Sequence, residues 1–525
     1  MQLRKTMAPL FITAGLAVCL LSTQAFSQTV GPNGVLHKGV KTVERKVAPS
    51  PAEQEKKEVA ERLDTHKLLY SAKVVVDKDK KMLVPPESVA AFAGTEYVIA
   101  KEAPEVEFAV VPVDPMFLGE SPVKSKSNIS NEPGPWSNWS QANFDTRTGK
   151  FYSSVGDHGK YDAKILLVEY DPQTKTVKCL PEVNKVLGRK TTEFSEGKIH
   201  GWLDFYQSKH LDSQHLWYCT YWAKYSEPDE EDYATGYDGG HIMSYDVLTG
   251  DIVDYGVPMK RASWPYHRVD TKRGIMYGVG MFGEFLAWDI NEQKTKWAGY
   301  LPDGMGWWER AIMIDEVTGM VYTTNRDKDD EQRHFIKYDP FTNRFTQLDC
   351  HVPAESISGS RGQKKGGFNQ MRSQTPHRGP DGLFYGITYG GQLFAFDPEK
   401  EEVIDKGRNW AGNETYTASM QRSPSGRYVY YCPGAHGHGF AEGSPVIQYD
   451  TKTGVKKVLA FMFPYFMDKY GYTPGGTFSI KLDDTGERLF ILWNGAFVEH
   501  SDEKTDTFGQ CSVMVVNIPA SERVE

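Results

Sequence analysis

The chain has 525 residues and a formal net charge of −9, with 60 Lys and Arg against 69 Asp and Glu. That balance excludes a molecule built as a whole to attract polyanions: no nucleic-acid partner is expected, and any anion-binding surface has to be a local basic patch. Abundant glycine (49 residues) and a high aromatic content (13%) suit an all-β protein with many turns.

The first element is a leader. "MQLRKTMAPLFITAGLAVCLLSTQAFSQ" has a basic start, an apolar run and small residues before Gln28. It predicts a signal peptide over residues 1–27 and an exported protein, periplasmic or extracellular. A lipoprotein reading through Cys19 is weaker, because Val18 stands where a small residue is wanted. No other stretch approaches the roughly 20 apolar residues of a membrane helix, so no membrane span is expected. Cys179, Cys219, Cys350, Cys432 and Cys511 remain after the leader, an odd and widely spaced set that is no disulfide framework.

Residues 28–104 read as a polar linker and N-terminal extension, with "PAEQEKKEVAERL" as a short exposed helix after Pro51. From 105 to 520 a repeat takes over. Its third strands stand out: "KILLVEYDPQT", "HIMSYDVLTG", "EFLAWDINEQ", "HFIKYDPFTN", "QLFAFDPEKE", "VIQYDTKTG" and "SVMVVNIPA". Each alternates apolar and polar residues, and six of the seven end in an aromatic residue and Asp. Seven copies at roughly 40–60-residue spacing predict a seven-bladed β-propeller. The blades fall at about 136–183, 196–258, 261–303, 305–353, 366–412, 414–470 and 472–517. The seventh copy stops after its third strand, and "EVEFAVVPV" at 105–113 can supply the fourth, removing the exposed edge.

Strand counting assigns the loops to two faces. The turns joining strands one–two and three–four are short ("DTRTG", "DEVTG", "PDG", "DDTG"). The strand two–three loops and blade-to-blade connections carry the long insertions at 222–240, 326–333, 354–368 and 496–510. Function is expected on that second face. It holds His158 in "GDHG", His200 in "IHGW", Tyr237, Arg261 at the opening of blade 3, Arg310 in "GWWERA", His436, His438 and His500. Arg361, Lys364, Lys365 and Arg372 form a basic approach to blade 5. A ring of His, Arg and Tyr suits proton transfer on an anionic substrate, with Arg310, His436 and Arg372 as substrate contacts.

Two metal readings stay open. Cys432, His436 and His438 in "YVYYCPGAHGHG", with His377 from blade 5, are a candidate zinc set. The acidic, glycine-rich "YSEPDEEDYATGYDGG" at 225–240 is a candidate calcium loop without EF-hand spacing. Neither cofactor is required by the proton chemistry.

On the seven blades, the leader, the "GDHG" and "IHGW" histidines and Arg261, the chain resembles the secreted propeller polysaccharide lyases, in particular the ulvan lyases. The resemblance implies β-elimination on a uronate-containing, anionic polysaccharide. It places the proton-handling histidines on His158 and His200, the tyrosine on Tyr237 and the carboxylate-neutralising arginine on Arg261. A non-catalytic propeller binding glycans or proteins at the envelope remains the alternative. A metal-dependent hydrolase fits less well, since the inner-strand starts offer Asn138, Glu309, Asn369 and Gln421 in place of a Glu/Asn/Asp ring.

Overall fold

The computed structural model describes residues 74–113, 136–157, 159, 161–222, 228–302, 305, 310–325, 333–353, 370–496 and 507–524. The leader, residues 28–73, His158, Glu309, Arg361, Lys364, Lys365, Asn369 and His500 lie outside them.

Seven antiparallel sheets follow one another along the chain and form the seven blades of a propeller. Blade 1 is typical: Asn143–Asp145, Lys150–Gly156, Ile165–Asp171 and Thr176–Glu182 pair in sequence order. The first strands of blades 2 to 7 are Asp204–Tyr206, Tyr266–Asp270, Met313–Ile314, Met371–Gln374, Met420–Arg422 and Thr473–Leu482. Neighbouring first strands touch from blade 5 through blades 6, 7, 1 and 2 to blade 3, so they line the axis. In blade 7, Glu105–Val110 pairs with Ser512–Asn517, and Val75–Asp77 pairs with Glu105–Val110 outside it. Residues 80–100 pack on blade 6. Val98–Ile99 runs parallel to Lys457–Val458, and Met82, Val89 and Tyr97 are buried in the shared core.

The third-strand signature has a physical cause. The aromatic residue fills the space between blades, as where Phe151 stacks on Phe490 at 5.5 Å and Tyr170 closes the cluster. The Asp that follows turns the chain. Asp171, Asp246, Asp289, Asp339, Asp397 and Asp450 each accept a backbone N–H from two residues on. That is the Asx-turn for which Asp is favoured. These short turns mark the face opposite the long loops.

Polar side chains tie the blades together near the axis. Gln141 of blade 1 donates to the Ala418 carbonyl of blade 6 at 2.7 Å. Gln374 of blade 5 donates to Tyr266 of blade 3 at 2.7 Å and to the Ile312 carbonyl of blade 4 at 2.9 Å. His267 of blade 3 accepts the Cys219 N–H of blade 2 at 3.0 Å, and burial pushes its imidazole down to about 3, so it is neutral. Gly201 makes this junction possible. A Cβ there would lie 2.4 Å from His267 Nδ1 and 2.5 Å from the His267 backbone nitrogen. Backbone cannot step aside as a flexible side chain can, so Gly201→Ala is expected to cost about 3 kcal/mol, the upper end for overpacking. A fall in the urea midpoint at unchanged m-value is the check; an unmoved midpoint would show that the blade 2–3 junction is looser than described.

Candidate functional site

Residues just before or within the first strands of different blades meet on the long-loop face. Blade 1 supplies Trp139, blade 2 Lys198 and His200, blade 4 Arg310, blade 5 Arg372, blade 6 Tyr416 and blade 7 Phe478. His436 joins them from the strand two–three loop of blade 6.

The local structure of blade 2 explains two of these positions. Glu196–Lys198 pairs with Tyr221–Trp222 in a small sheet of its own, and the chain then bends at Gly201 toward the first strand. Lys198 and His200 are thereby carried into the interior, 7% and 2% exposed. The Lys198 ammonium sits between two ring faces, 4.7 Å from Trp139 and 4.9 Å from Tyr221. His200 stacks on Trp139 at 5.9 Å and meets Tyr221 and Phe478 edge-on at 6.0 and 5.8 Å.

Arg372 is fully buried, its guanidinium 5.1 Å from the ring centres of both Tyr416 and Phe478. Its Nε donates to the Tyr416 hydroxyl, while Nη1 and Nη2 have no hydrogen-bond partner. His436 packs against Tyr416 at 4.4 Å, Phe478 at 5.5 Å and Trp139 at 5.8 Å. One group therefore joins aromatic walls, two imidazoles, two guanidiniums and an amine.

The electrostatics follow from burial and like charge. Desolvation holds the His200 imidazole well below the ordinary histidine range; among the described residues, the Arg310, Arg372 and Lys198 charges push the same way. The Pro265 carbonyl favours the imidazolium but falls short of hydrogen-bond geometry, and both ring nitrogens lack a partner. Burial, reinforced by Arg310, also holds the Lys198 ammonium well below its usual value. Arginine does not give up its proton under such pressure, so Arg310 and Arg372 are the fixed charges and His200 and Lys198 the titrating ones. A buried guanidinium with unmet N–H donors is costly. It is the natural place for a carboxylate, or another planar oxyanion, to bind in a fork.

Of the residues singled out by sequence, the structure gathers His200, Arg310, Arg372 and His436 here. Arg261 is elsewhere. It adopts a positive φ of 64° on the rim, exposed, stacked on Tyr233 at 4.2 Å and bonded to Glu230 by two contacts of 2.5 and 2.8 Å. Tyr237 is buried beside the site, packing on Phe194 at 4.8 Å with Phe194, Tyr221, Trp222 and Met281. Burial and the Glu196 carboxylate push its hydroxyl well up. Its ring meets Phe194, Tyr233 and the Arg189 guanidinium.

The zinc set does not converge. Cys432 points into the blade 6 core, fully desolvated. His377 lies in the strand one–two turn of blade 5, on the opposite face, with Nδ1 3.0 Å from Glu316. His438 lies 3.6 Å from Glu414. Among the described residues no three His, Cys, Asp or Glu side chains are grouped to hold a metal. The described part of the acidic loop folds as a helix, Glu230–Ala234, whose capping box employs Asp229 and Asp232 while Glu230 holds Arg261. Those carboxylates are engaged in structure.

Strand counting overlooked Lys198, Trp139, Tyr416 and Phe478. Lys198 was within reach, since it stands two residues before His200 and a strand places alternate residues on one face. Trp139 and Tyr416 precede their first strands much as His200 does. Phe478 had no such signal, because it lies inside its first strand, Thr473–Leu482, and not before it.

No protein-family model matches the chain, and no curated protein matches it. Among solved structures, one similar chain is a structural-genomics crystal structure of a protein from Lactobacillus plantarum. The identity is 18% and the TM-score 0.39, covering 54% of this chain and 75% of that one. A likeness that loose carries no argument about function.

Proposed function

We propose that the axial site binds a uronate within an anionic polysaccharide and cleaves the chain by β-elimination. The observation that carries this reading is Arg372: a fully buried guanidinium with Nη1 and Nη2 unmet, set against the Tyr416 and Phe478 rings. Aromatic faces suit the C–H faces of a sugar, and the fork suits its carboxylate.

The proton at C5 of a uronate is acidic only when the adjacent carboxylate is neutralised, because the carbanion delocalises into it. Arg372 and Arg310 supply that positive field. His200, held neutral, takes the C5 proton; the C5–H electron pair forms the C4=C5 bond, and the C4–O4 bond breaks. The departing O4 needs a proton. The Tyr416 hydroxyl, which accepts from Arg372 Nε, retains its own proton to give. Tyr416 takes this role in place of Tyr237, which packs off the axis.

The test is incubation of the purified protein with uronate polymers, sulfated and unsulfated, following the ultraviolet absorbance of the unsaturated product. Absorbance should rise with wild type and fall on the order of 10²–10⁴-fold in rate with Tyr416→Phe. Tight polymer binding without any absorbance change would replace this reading by that of a non-catalytic glycan-binding propeller.

A further inference from the structure

We infer that two β-bulges aim the axial site, and that Asn138 is the positioning residue that holds one of them. Among the described residues, strands one and two of blades 1, 2, 3, 4 and 6 pair without a step. Blades 5 and 7 differ. Met371 faces Thr388 and Ser373 faces Ile387, so Arg372 is an extra residue with nothing opposite it in the ladder. Thr477 faces Trp493 and Ser479 faces Leu492, which leaves Phe478 in the same position; blade 7 has a further step at Gly475.

An extra residue bends its strand and takes its side chain out of the strict alternation of faces. The two side chains re-aimed in this way meet: the Arg372 guanidinium lies 5.1 Å from the Phe478 ring centre. Phe478 also meets Trp139 at 4.5 Å, His436 at 5.5 Å and His200 at 5.8 Å. One bulged residue of blade 7 thus touches site residues from blades 1, 2, 5 and 6, and its placement sets theirs.

Asn138 fixes that ring through the backbone. Its Oδ1 accepts the Phe478 N–H at 3.1 Å, and its Nδ2 donates to the Leu492 carbonyl at 2.7 Å. Leu492 stands opposite Ser479, so one fully buried amide spans both sides of the bulge. A backbone N–H can only donate and a carbonyl can only accept, which gives the amide a single orientation. Asn494 anchors it in turn: its Oδ1 accepts from the Asn138 backbone N–H at 2.7 Å and from Nδ2 at 3.1 Å. Asn138 acts through Phe478, so its part in catalysis rests on the uronate reading of the axial site. A shift of about 1 Å at a reacting group costs on the order of 10²-fold in rate.

The experiment uses the full-length protein and has two arms. The first is hydrogen exchange read by mass spectrometry. Asn138→Leu should quicken exchange in the peptide over 473–482 about fivefold, the loss of one hydrogen bond, and leave the regular first strand of blade 3, 266–270, unchanged. Faster exchange in both peptides would be general loosening and would overturn the assignment. The second arm is a double-mutant cycle on kcat/KM with a glucuronate polymer, or on its Kd should the polymer bind uncleaved. Asn138→Leu should lower kcat/KM about tenfold to 10²-fold, and should have no further effect in a Phe478→Ala background. Single effects that multiply in the double variant would overturn the inference, because a residue that only stabilises the fold acts independently of Phe478. The Leu492 carbonyl keeps the Thr477 hydroxyl at 2.7 Å in these variants. Should Asn138→Leu not fold, Asn138→Ser, which sets no methyl against that carbonyl, takes its place in both arms. A wild type that neither cleaves nor binds the polymer overturns the uronate reading alone; unchanged exchange at 473–482 overturns the role of Asn138 alone.

Discussion

Arg372→Met is expected to lower kcat/KM on a uronate polymer on the order of 10²–10³-fold, the usual loss for one preorganised charge-stabilising group. The same substitution is expected to leave folding stability unchanged or raised, by about 1–4 kcal/mol. The two effects have one origin. Arg372 is fully buried, Nη1 and Nη2 have no partner, and Tyr416 satisfies only Nε. A side chain retained for packing would not be left in that condition, because methionine fills similar space without a charge to desolvate. Activity assays and urea unfolding on the same preparation check both halves. Loss of stability with the activity intact would mean that Arg372 is a structural residue and that the anion site lies elsewhere.

The fold was readable because its determinants are local. An aromatic residue followed by Asp at each third-strand end encodes an inter-blade plug and an Asx-turn, and both repeat along the chain. Counting strands from those marks put His200, Arg310, Arg372 and His436 on one face, where the structure has them. Arg261 was assigned by the same count, yet it stands on the rim. Its direction is set by a left-handed backbone and by the Glu230–Ala234 helix, whose capping box lies in a loop that read as a calcium ligand set. Strand periodicity cannot see that. His377 shows the converse: it lies between Met371–Gln374 and Phe384–Thr388, in a strand one–two turn on the opposite face from His436, and a zinc site combining them contradicts the topology. Lys198 and Tyr416 acquire their meaning only from what surrounds them in space, two rings in one case and a guanidinium in the other.

Substitution of His200 by Gln is expected to reduce kcat on the order of 10²–10⁴-fold, and the pH dependence carries more information than the size of the loss. Burial and then the neighbouring cations hold His200 below the ordinary histidine value of about 6.5. A base whose pKa is depressed stays in its working, neutral form as the pH falls through that value. The acid limb of kcat/KM, which reports the free enzyme, therefore lies below about pH 6.5. In the complex a uronate carboxylate offsets the Arg310 and Arg372 charges that were pushing the imidazole down. The His200 pKa then rises, and the acid limb of kcat, which reports the complex, lies at higher pH than that of kcat/KM. Folding stability carries the same sign. The unfolded chain binds a proton at His200 near about pH 6.5 while the folded chain does not, so this contribution is present above that pH and is lost as the pH falls toward the folded value. His200→Gln removes the limb from both rate profiles and flattens the stability profile over the same window. An acid limb that survives the substitution unchanged would assign the base to another group, with the neighbouring amine of Lys198 the first to test.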